Sequence, residues 1–592
     1  MNFINISSPF FKFLENIVFW YPYLMSLLWI SGSLIFAHYR EKNKNIDIES
    51  YSWPAISILV PCYNEESTVS ETIKHLSKLN YPDYEIIAVN DGSNDNTGTL
   101  LKELANKYKC LKAIDCHENK GKANALHIAA QASKNEFLIC IDSDAILDKE
   151  APYHLIKHFL INGERVGAVT GNPRIRNRGT LLGKIQLVEY ASIIGSIKRT
   201  QRILGKIMTV SGVIVAFRKK ALVSVGLWDR DMITEDIAVS WKLERNFWDI
   251  RYEPNALCWM LVPETLSGLW KQRVRWAQGG QEIIFRHWNI FRDWRQRRLW
   301  PIYIEQVLSI CWSFLWIFIT LIFLFVLNTK SALILWFTFS SFALSMLSFI
   351  QLFISIKNES SYDNILKYYL WAAWYPTIYW IFNALVTIAA LPKSIKSTIK
   401  GGYAIWSSPD RGNAILNDDC ELEFSIDINE PKPEIINSIT DANLNNQSDS
   451  LIITKSNQNI FKKISGFLFS LLMLCYMIIV SFFFISACFN YNNNFLSILK
   501  INFKVTNSDI QEFIMISIIL FFICFSLLFI WKMYNKLHFG KLNRRKHVSP
   551  TTTEDMLSLN LTTLQTYKIL QSNKIITFDK NPIFDLIMKG DN

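Results

Sequence analysis

The sequence is short of charge. Asp, Glu, Lys and Arg make up 19% of its 592 residues, against roughly 25% in soluble domains. That shortage, beside 50% hydrophobic and 14% aromatic residues, excludes a soluble multidomain chain and a disordered one. No C-x-x-C pair occurs among the ten Cys, so a disulfide scaffold is excluded and the thiols read as small buried hydrophobes. The nine His include one i, i+4 pair, His154 and His158, with no Cys or carboxylate joining them in the sequence, too little for a metal site. The N-terminus lacks a basic n-region and an A-x-A-type cleavage site, so the apolar run Ile17–Ala37 reads as a retained anchor.

What the chain has instead is long uncharged runs: Ile17–Ala37, Gln306–Thr329, Ser331–Ile356, Tyr368–Pro392, Phe467–Phe489 and Phe513–Trp531. Each is about the 20 residues needed to cross a bilayer core. The net charge of +11 therefore reads as cytoplasmic faces beside anionic lipid rather than as a nucleic-acid site. Lys and Arg crowd Arg292–Arg298, Lys393–Lys400, Lys455–Lys463 and Lys532–Lys546, which all ask to be cytoplasmic. Three full passes after the polar domain would place Lys393–Lys400 outside. Pro376 interrupts Tyr368–Pro392, so a broken or re-entrant course and a cytoplasmic linker are expected. The expected organisation is an anchor (1–49), an α/β domain (50–300), membrane helices (301–400), a polar linker (401–455) and a two-span region with a basic tail (456–592). In that tail Ser549-Pro550-Thr551 and Thr553–Leu557 read as a loop and an N-capped helix.

Between the anchor and residue 300, apolar runs alternate with helical patterns: Ala55–Pro61, Tyr84–Asn90, Lys112–Cys116 and Phe137–Ile141, separated by Ser67–Lys78, Thr97–Tyr108 and Ala123–Ala132. This spacing predicts βαβ units and a parallel sheet, whose ligands bind at the carboxyl ends of strands. Asp91-Gly92-Ser93 closes the second run and could accept hydrogen bonds from an imide or ribose; alone, it reads better as an Asp-Gly turn. Asp142 and Asp144 close another run, where strand periodicity puts both on one side and like charges call for a cation. Mg²⁺ bridging to diphosphate oxygens suits them, and Mn²⁺ equally. In Thr234-Glu235-Asp236 a carboxylate could take a proton from an attacking hydroxyl, while Thr234 could also cap a helix whose first turn favours both acids. In Gln272-Arg273-Val274-Arg275-Trp276, Arg275 could neutralise a departing diphosphate and Trp276 stack on a sugar; an interfacial amphipathic helix fits the same residues.

In this order, on one α/β domain beside membrane spans, these motifs resemble the processive family 2 glycosyltransferases, which include cellulose, chitin and hyaluronan synthases. The resemblance implies an integral membrane α-helical protein with a cytoplasmic α/β domain of the GT-A (nucleotide-diphospho-sugar transferase) type. It also implies Asp91 for the nucleoside, Asp142 and Asp144 for nucleotide and metal, and Lys122 among the donor-binding residues. Asp236 would be the general base with Glu235 beside it, and Gln272, Arg275 and Trp276 would serve the diphosphate and acceptor end. The growing polymer would follow a polar path lined by Trp and Tyr rings. The strings Ala168–Arg176, Ser192–Arg202, Asp231–Asp236, Gly268–Gly280 and Ser408–Gly412 are similar to those of the bacterial poly-β-1,6-N-acetylglucosamine synthases. The donor would then be UDP-N-acetylglucosamine and the product a biofilm polysaccharide. Its exporters would be periplasmic and outer-membrane proteins, and its site the inner membrane.

From about residue 451 the chain resembles the small two-helix partner subunit of these synthases, which implies a fusion and an activator, cyclic di-GMP. Lys536, Arg544 and Arg545 would meet its phosphates and Trp531 its bases; a positive-inside anchor with an interfacial Trp fits these four equally. Two departures stand out: one span rather than two precedes the α/β domain, and no R-x-x-x-R regulatory module follows it. A hyaluronan, chitin or cellulose type of product, or a non-catalytic membrane scaffold, stays open at this point, although intact acids at Asp91, Asp142, Asp144 and Asp236 disfavour the scaffold.

Overall fold

Each short apolar run of the first half becomes a buried strand in this computed structural model, which describes residues 9–41, 48, 51–161, 163–326, 331–405, 451–455, 458–540 and 548–585. Helix α1 (Pro9–Arg40) precedes β1 (Ile56–Cys62), α2 (Val69–Leu76), β2 (Tyr84–Asp91), α3 (Thr97–Lys107), β3 (Leu111–Cys116), α4 (Lys122–Ala132) and β4 (Phe137–Ile141). β1 pairs in parallel with both β2 and β4, and β2 with β3. Successive residues face opposite sides of a strand. Ile58, Val60, Ile86 and Ala88 accordingly pack with Ile73 of α2 and Leu101 of α3. Leu59, Ile87 and Val89 pack with Ile128 and Ala129 of α4. Cover on both faces is what makes these strands continuously apolar.

The second half departs from the parallel expectation. It comprises β5 (Ile146–Leu147), α5 (Ala151–Ile161), β6 (Val166–Ile175), α6 (Leu181–Glu189), α7 (Gly195–Leu204), β7 (Ile214–Arg218), α8 (Lys219–Val223), α9 (Glu235–Arg245), β8 (Asp249–Met260) and α10 (Leu266–Arg286). β7 runs antiparallel to β4 and β6, and β5 antiparallel to β8. The sheet is therefore mixed.

Next come α11 (Trp300–Val326), α12 (Ser331–Glu359), α13 (Tyr369–Ala372), α14 (Tyr375–Lys400), α15 (Ile460–Cys488), α16 (Asn494–Phe503) and α17 (Asn507–Phe539). Among the described residues, α1, α11, α12, α14, α15 and α17 are long and apolar enough to cross a membrane. The run Tyr368–Pro392 is divided between α13 and α14, and Pro376 stands in the first turn of α14, where its missing N–H removes no helical bond. α14 is bonded to the α/β domain along its length. Tyr375 Oη donates to Glu189 Oε2 (3.1 Å), Gln281 Nε2 to the Thr387 carbonyl (2.7 Å) and Ser394 Oγ to Gln281 Oε1 (2.8 Å). The lysines at its end thus stay beside the domain. Trp29, Trp312 and Trp380 of the long apolar helices are buried against one another, Trp29 and Trp380 lying parallel with centroids 5.6 Å apart.

The tail was expected to hold a loop and one capped helix. That helix, α18 (Thr553–Leu557), is present with a Thr552–Asp555 capping box. The tail also contains α19 (Leu564–Ser572) and a strand, β9 (Ile575–Phe578), which adds in parallel to β3 from Ala113↔Ile575 to Cys116↔Phe578. Among the described residues the sheet has nine strands in the order β5-β8-β6-β7-β4-β1-β2-β3-β9.

Buried ion pairs lock the α/β domain together and to the long apolar helix α12. Arg174 of β6 and Arg199 of α7 each hold one oxygen of Glu359, the last residue of α12, and Arg178 holds Asp363. Arg199 Nε also meets Glu41 at 2.7 Å, and Arg273 meets Glu189 at 2.8 Å. Glu359→Gln would leave Arg174 and Arg199 as buried charges short of a partner, a loss of about 3–5 kcal/mol. Asp555→Asn, at the surface pair with Lys220, should cost about 0–1 kcal/mol. Thermal unfolding of the detergent-solubilised protein should show a large drop in midpoint for the first and little for the second.

Candidate functional site

The strand ends named by the sequence converge on one place. Lys122, the first residue of α4, points its ammonium at Asp142 Oδ1 (2.6 Å), just beyond β4, and at Glu235 Oε1 (3.0 Å), the first residue of α9. Asp236 follows on α9, its Oδ1 accepting from the Ile237 N–H at 2.9 Å. A Cβ built on Gly212 would lie 3.2 Å from Asp236 Oδ2 and 3.4 Å from Lys122 Nζ. Three acids therefore share one ammonium, an arrangement the spacing of Lys122 along the sequence gave no means of seeing.

The charges interact accordingly. Burial lifts Asp236, and Glu235 beside it lifts it further, to about 6, against the pull of Lys122 and Arg275. Burial works against the Lys122 charge, but Asp142 and Glu235 hold it well above the usual ammonium range. Asp142 is pushed up by burial, drawn down by Lys122 and pushed up again by Asp144. β4 ends at Ile141, so Asp142 and Asp144 are set by a turn, closed by the Ala145 N–H on the Asp142 carbonyl (3.1 Å), rather than by strand alternation. Lys198 of α7, assigned no site role from the sequence, is lowered to about 8 by burial, with Asp236 opposing.

Asp91 is the last residue of β2 and has no exposed surface. Its Oδ1 accepts from the Lys120 N–H (3.3 Å) and its Oδ2 from the Gly121 N–H (2.7 Å), while burial lifts it to about 7. It thus holds the loop entering α4 rather than presenting a bare carboxylate. Gly121 has φ +93°, a conformation only glycine adopts easily, and an added Cβ would meet the Ala404 carbonyl at 2.3 Å.

Thr234 does not cap α9; its side chain lies on Gly279 of α10, where a Cβ would fall 1.8 Å from its hydroxyl. On α10, Gln272 is buried and accepts from Arg273. The Trp276 ring carries the Arg273 guanidinium 4.2 Å from its centroid and the edge of Tyr190 at 6.1 Å. Arg273 rather than Arg275 is the anchored arginine of that motif.

Among the described residues no three His, Cys, Asp or Glu side chains could hold a metal unaided. His158 lies 2.8 Å from Glu253, and burial lowers His154 to about 3. Asp142 and Asp144 are a donor pair suited to Mg²⁺ or Mn²⁺, which complete their shell with substrate phosphates. The buried Asp142 Oδ1, with no aligned hydrogen bond and only a neighbouring ammonium, fits that role.

Of the residues expected to be regulatory, Trp531 donates its indole N–H to the Leu204 carbonyl (2.9 Å). Lys536 lines a cavity of about 410 Å³ with Arg40, Arg165, Arg202, Lys206 and Arg298. Burial and neighbouring Arg202 lower Arg251 of this cavity to about 9, as expected where cations outnumber acids. Arg544, Arg545 and Ser408–Gly412 lie outside the described residues.

Residues 54–279 match the family described as "Glycosyltransferase like family 2". A poly-beta-1,6-N-acetyl-D-glucosamine synthase of Staphylococcus epidermidis is 46% identical over 411 residues, covering 67% of this chain and 98% of the relative. The synthase of the same name from Staphylococcus aureus strain COL is 46% identical over 415 residues, with the same coverage. The rest of this chain is unmatched by them. A solved mannosyltransferase from Pyrobaculum calidifontis, in complex with GDP-Man and Mn²⁺, aligns with TM-score 0.42 at 18% identity, over 63% of this chain and 99% of its own.

The Thr234–Gly279 contact sets the acids of α9 against α10. Gly279→Ala should destabilise the purified protein by about 1–3 kcal/mol through overpacking. Gly280→Ala, whose Cβ would meet only Gln306 Oε1 at 3.7 Å inside α10, should leave the unfolding midpoint no lower and raise stability by about 0.4–1 kcal/mol.

Proposed function

Because this chain belongs to glycosyltransferase family 2, we propose that it polymerises N-acetylglucosamine from UDP-N-acetylglucosamine into a β-1,6-linked polysaccharide. It inverts the donor's anomeric centre and helps pass the growing chain across the bacterial inner membrane to periplasmic and outer-membrane exporters. The α/β domain faces the cytoplasm, where the donor is made. The names of the relatives support the product. The observation that carries the chemistry is Asp236: a buried acid in the first turn of α9, lifted to about 6 beside the Lys122 cluster.

A carboxylate of that basicity is ionised at neutral pH yet takes a proton readily. Asp236 accepts the proton of the chain end's 6-hydroxyl as that oxygen bonds to the anomeric carbon. The bond from that carbon to the diphosphate oxygen breaks, and UDP leaves with the electron pair. Lys122 and Arg275 face the charge that develops there, the contribution expected to be largest. Asp142 and Asp144 would hold Mg²⁺ or Mn²⁺, which when bound neutralises the diphosphate.

The two-span region acts as the fused partner subunit. It is seated on the first helix by Tyr23 Oη donating to Ser517 Oγ (2.8 Å) and on α12 by Ser345 with Tyr476 (3.0 Å). The cation-lined cavity with Lys536 receives cyclic di-GMP, whose two phosphates suit its arginines.

Membranes containing only this chain should convert radiolabelled UDP-N-acetylglucosamine to β-1,6-linked polymer, and polymer of another linkage or none refutes the reading. Asp236→Asn should keep UDP binding and lose about 10²- to 10⁴-fold in rate. Since Asp236 must be ionised, kcat should fall as pH drops through about 6 and stay level above it. A chelator should stop turnover until Mg²⁺ or Mn²⁺ is restored. Arg298→Ala should weaken cyclic di-GMP binding in direct titration and leave UDP binding as it was.

A further inference from the structure

The tail is built into the α/β domain. The Thr551 N–H donates to Glu136 Oε2 (2.8 Å), and Met556, Tyr567, Leu570, Ile576 and Ile583 are buried with α4 and β3. Lys112 of β3 gathers the carbonyls of Leu570 (2.9 Å), Gln571 (3.3 Å) and Ala132 (3.2 Å). Its ammonium thereby closes the ends of α19 and α4 together.

The last described residues of the tail reach the loop that Asp91 holds. Asn581 and Asn124 exchange side-chain hydrogen bonds at 3.2 and 3.4 Å, and the Asn124 amide favours the charged form of Asp91. Asp585 Oδ1 lies 2.5 Å from Lys120 Nζ and accepts from Tyr403 Oη at 2.8 Å. Arg230 donates to the Phe584 carbonyl (2.7 Å), and its own carbonyl accepts from the Ala404 N–H (2.9 Å). The tail and the segment after α14 therefore meet over residues 120–124, the turn with Gly121 at its centre.

We propose that residues 548–585 form a clasp that completes the nucleoside end of the donor site, with Asn581 and Asp585 as positioning residues for Asn124 and Lys120. This rests on the reading of Asp91 and its loop as the part of the site that receives the nucleotide. The loop is tethered to Asp91 through two backbone N–H groups and to the clasp through two side chains. Fixing it before the nucleotide arrives removes an ordering cost from binding. Among the described residues, the hydrogen bonds and ion pairs of the clasp reach Lys120 and Asn124 and not Asp236 or Lys122, so its effect falls on donor affinity and not on the chemical step. It is also the continuation of α17, which makes the two-span region a contributor to the donor site.

The test uses the full-length protein with Asn581→Ala, Asp585→Ala, Asp585→Glu and Asp91→Asn, measuring UDP binding by calorimetry and separating donor KM from kcat. Asn581→Ala and Asp585→Ala should raise the UDP Kd and donor KM about three- to tenfold, as for the loss of one hydrogen bond, with kcat little changed. Asp585→Glu should recover most of the affinity. If Asp91→Asn weakens UDP binding while the Asn581 and Asp585 variants bind as wild type, the clasp proposal fails alone. If Asp91→Asn also binds as wild type, the nucleotide reading of that loop fails. A fall in kcat with unchanged KM would overturn the positioning role.

Discussion

Glu359 is the constraint on which the rest of the molecule hangs. A lone buried carboxylate or guanidinium loses several kcal/mol of hydration, and here two guanidiniums from different elements converge on one carboxylate. Separating the α/β domain from α12 would strand Glu359 and Arg174 and leave Arg199 with Glu41 alone, so the pairing specifies one orientation whatever its net contribution to stability. The next links follow from it. Arg273 of α10 meets Glu189 of α6, which also accepts from Tyr375 of α14; α10 then presents Gly279 to Thr234, and Thr234 immediately precedes the acids of α9. Membrane helix and candidate base are thus connected by a short series of packed or paired groups.

At the other end of that series a single ammonium stands among Asp142, Glu235 and Asp236. An excess of carboxylates in a buried place raises the affinity of each for protons and of the group for cations. Under the proposed function, the same surplus would serve both a base poised near neutrality and a divalent ion arriving with a diphosphate. Lys122 keeps the acids from being wholly uncompensated.

Much of this was legible in the sequence because it is local. The alternation of short apolar runs and helical patterns located β1 to β4 within a residue or so, and Asp91 and Asp142 were found because they close apolar runs. Strand direction was not legible: β7 reads like its neighbours, and only the path of the chain makes it antiparallel. Pro376 gives the same signal whether it breaks a helix or begins one. Thr234 offers a capping hydroxyl, yet packing against Gly279 takes that side chain elsewhere. β9 spans four residues, too few for a period-2 pattern to stand out. The ion pairs of Glu359 join residues 160 and 185 apart. The strings Ala168–Arg176 and Ser192–Arg202, which made the family resemblance specific, turn out to contain the arginines of this junction.

The tail shows why an appended region need not be a passive one. Without β9, β3 would be an edge strand of the sheet with its N–H and C=O groups unpaired, the kind of edge proteins cover or blunt. Lys112 would lose two of its three carbonyl acceptors, and a buried ammonium short of acceptors is costly. Burial lowers Lys112, with Glu85 opposing. A domain that carried this lysine and this edge without the tail would be less stable than the one seen. The tail is therefore part of the domain's own structure.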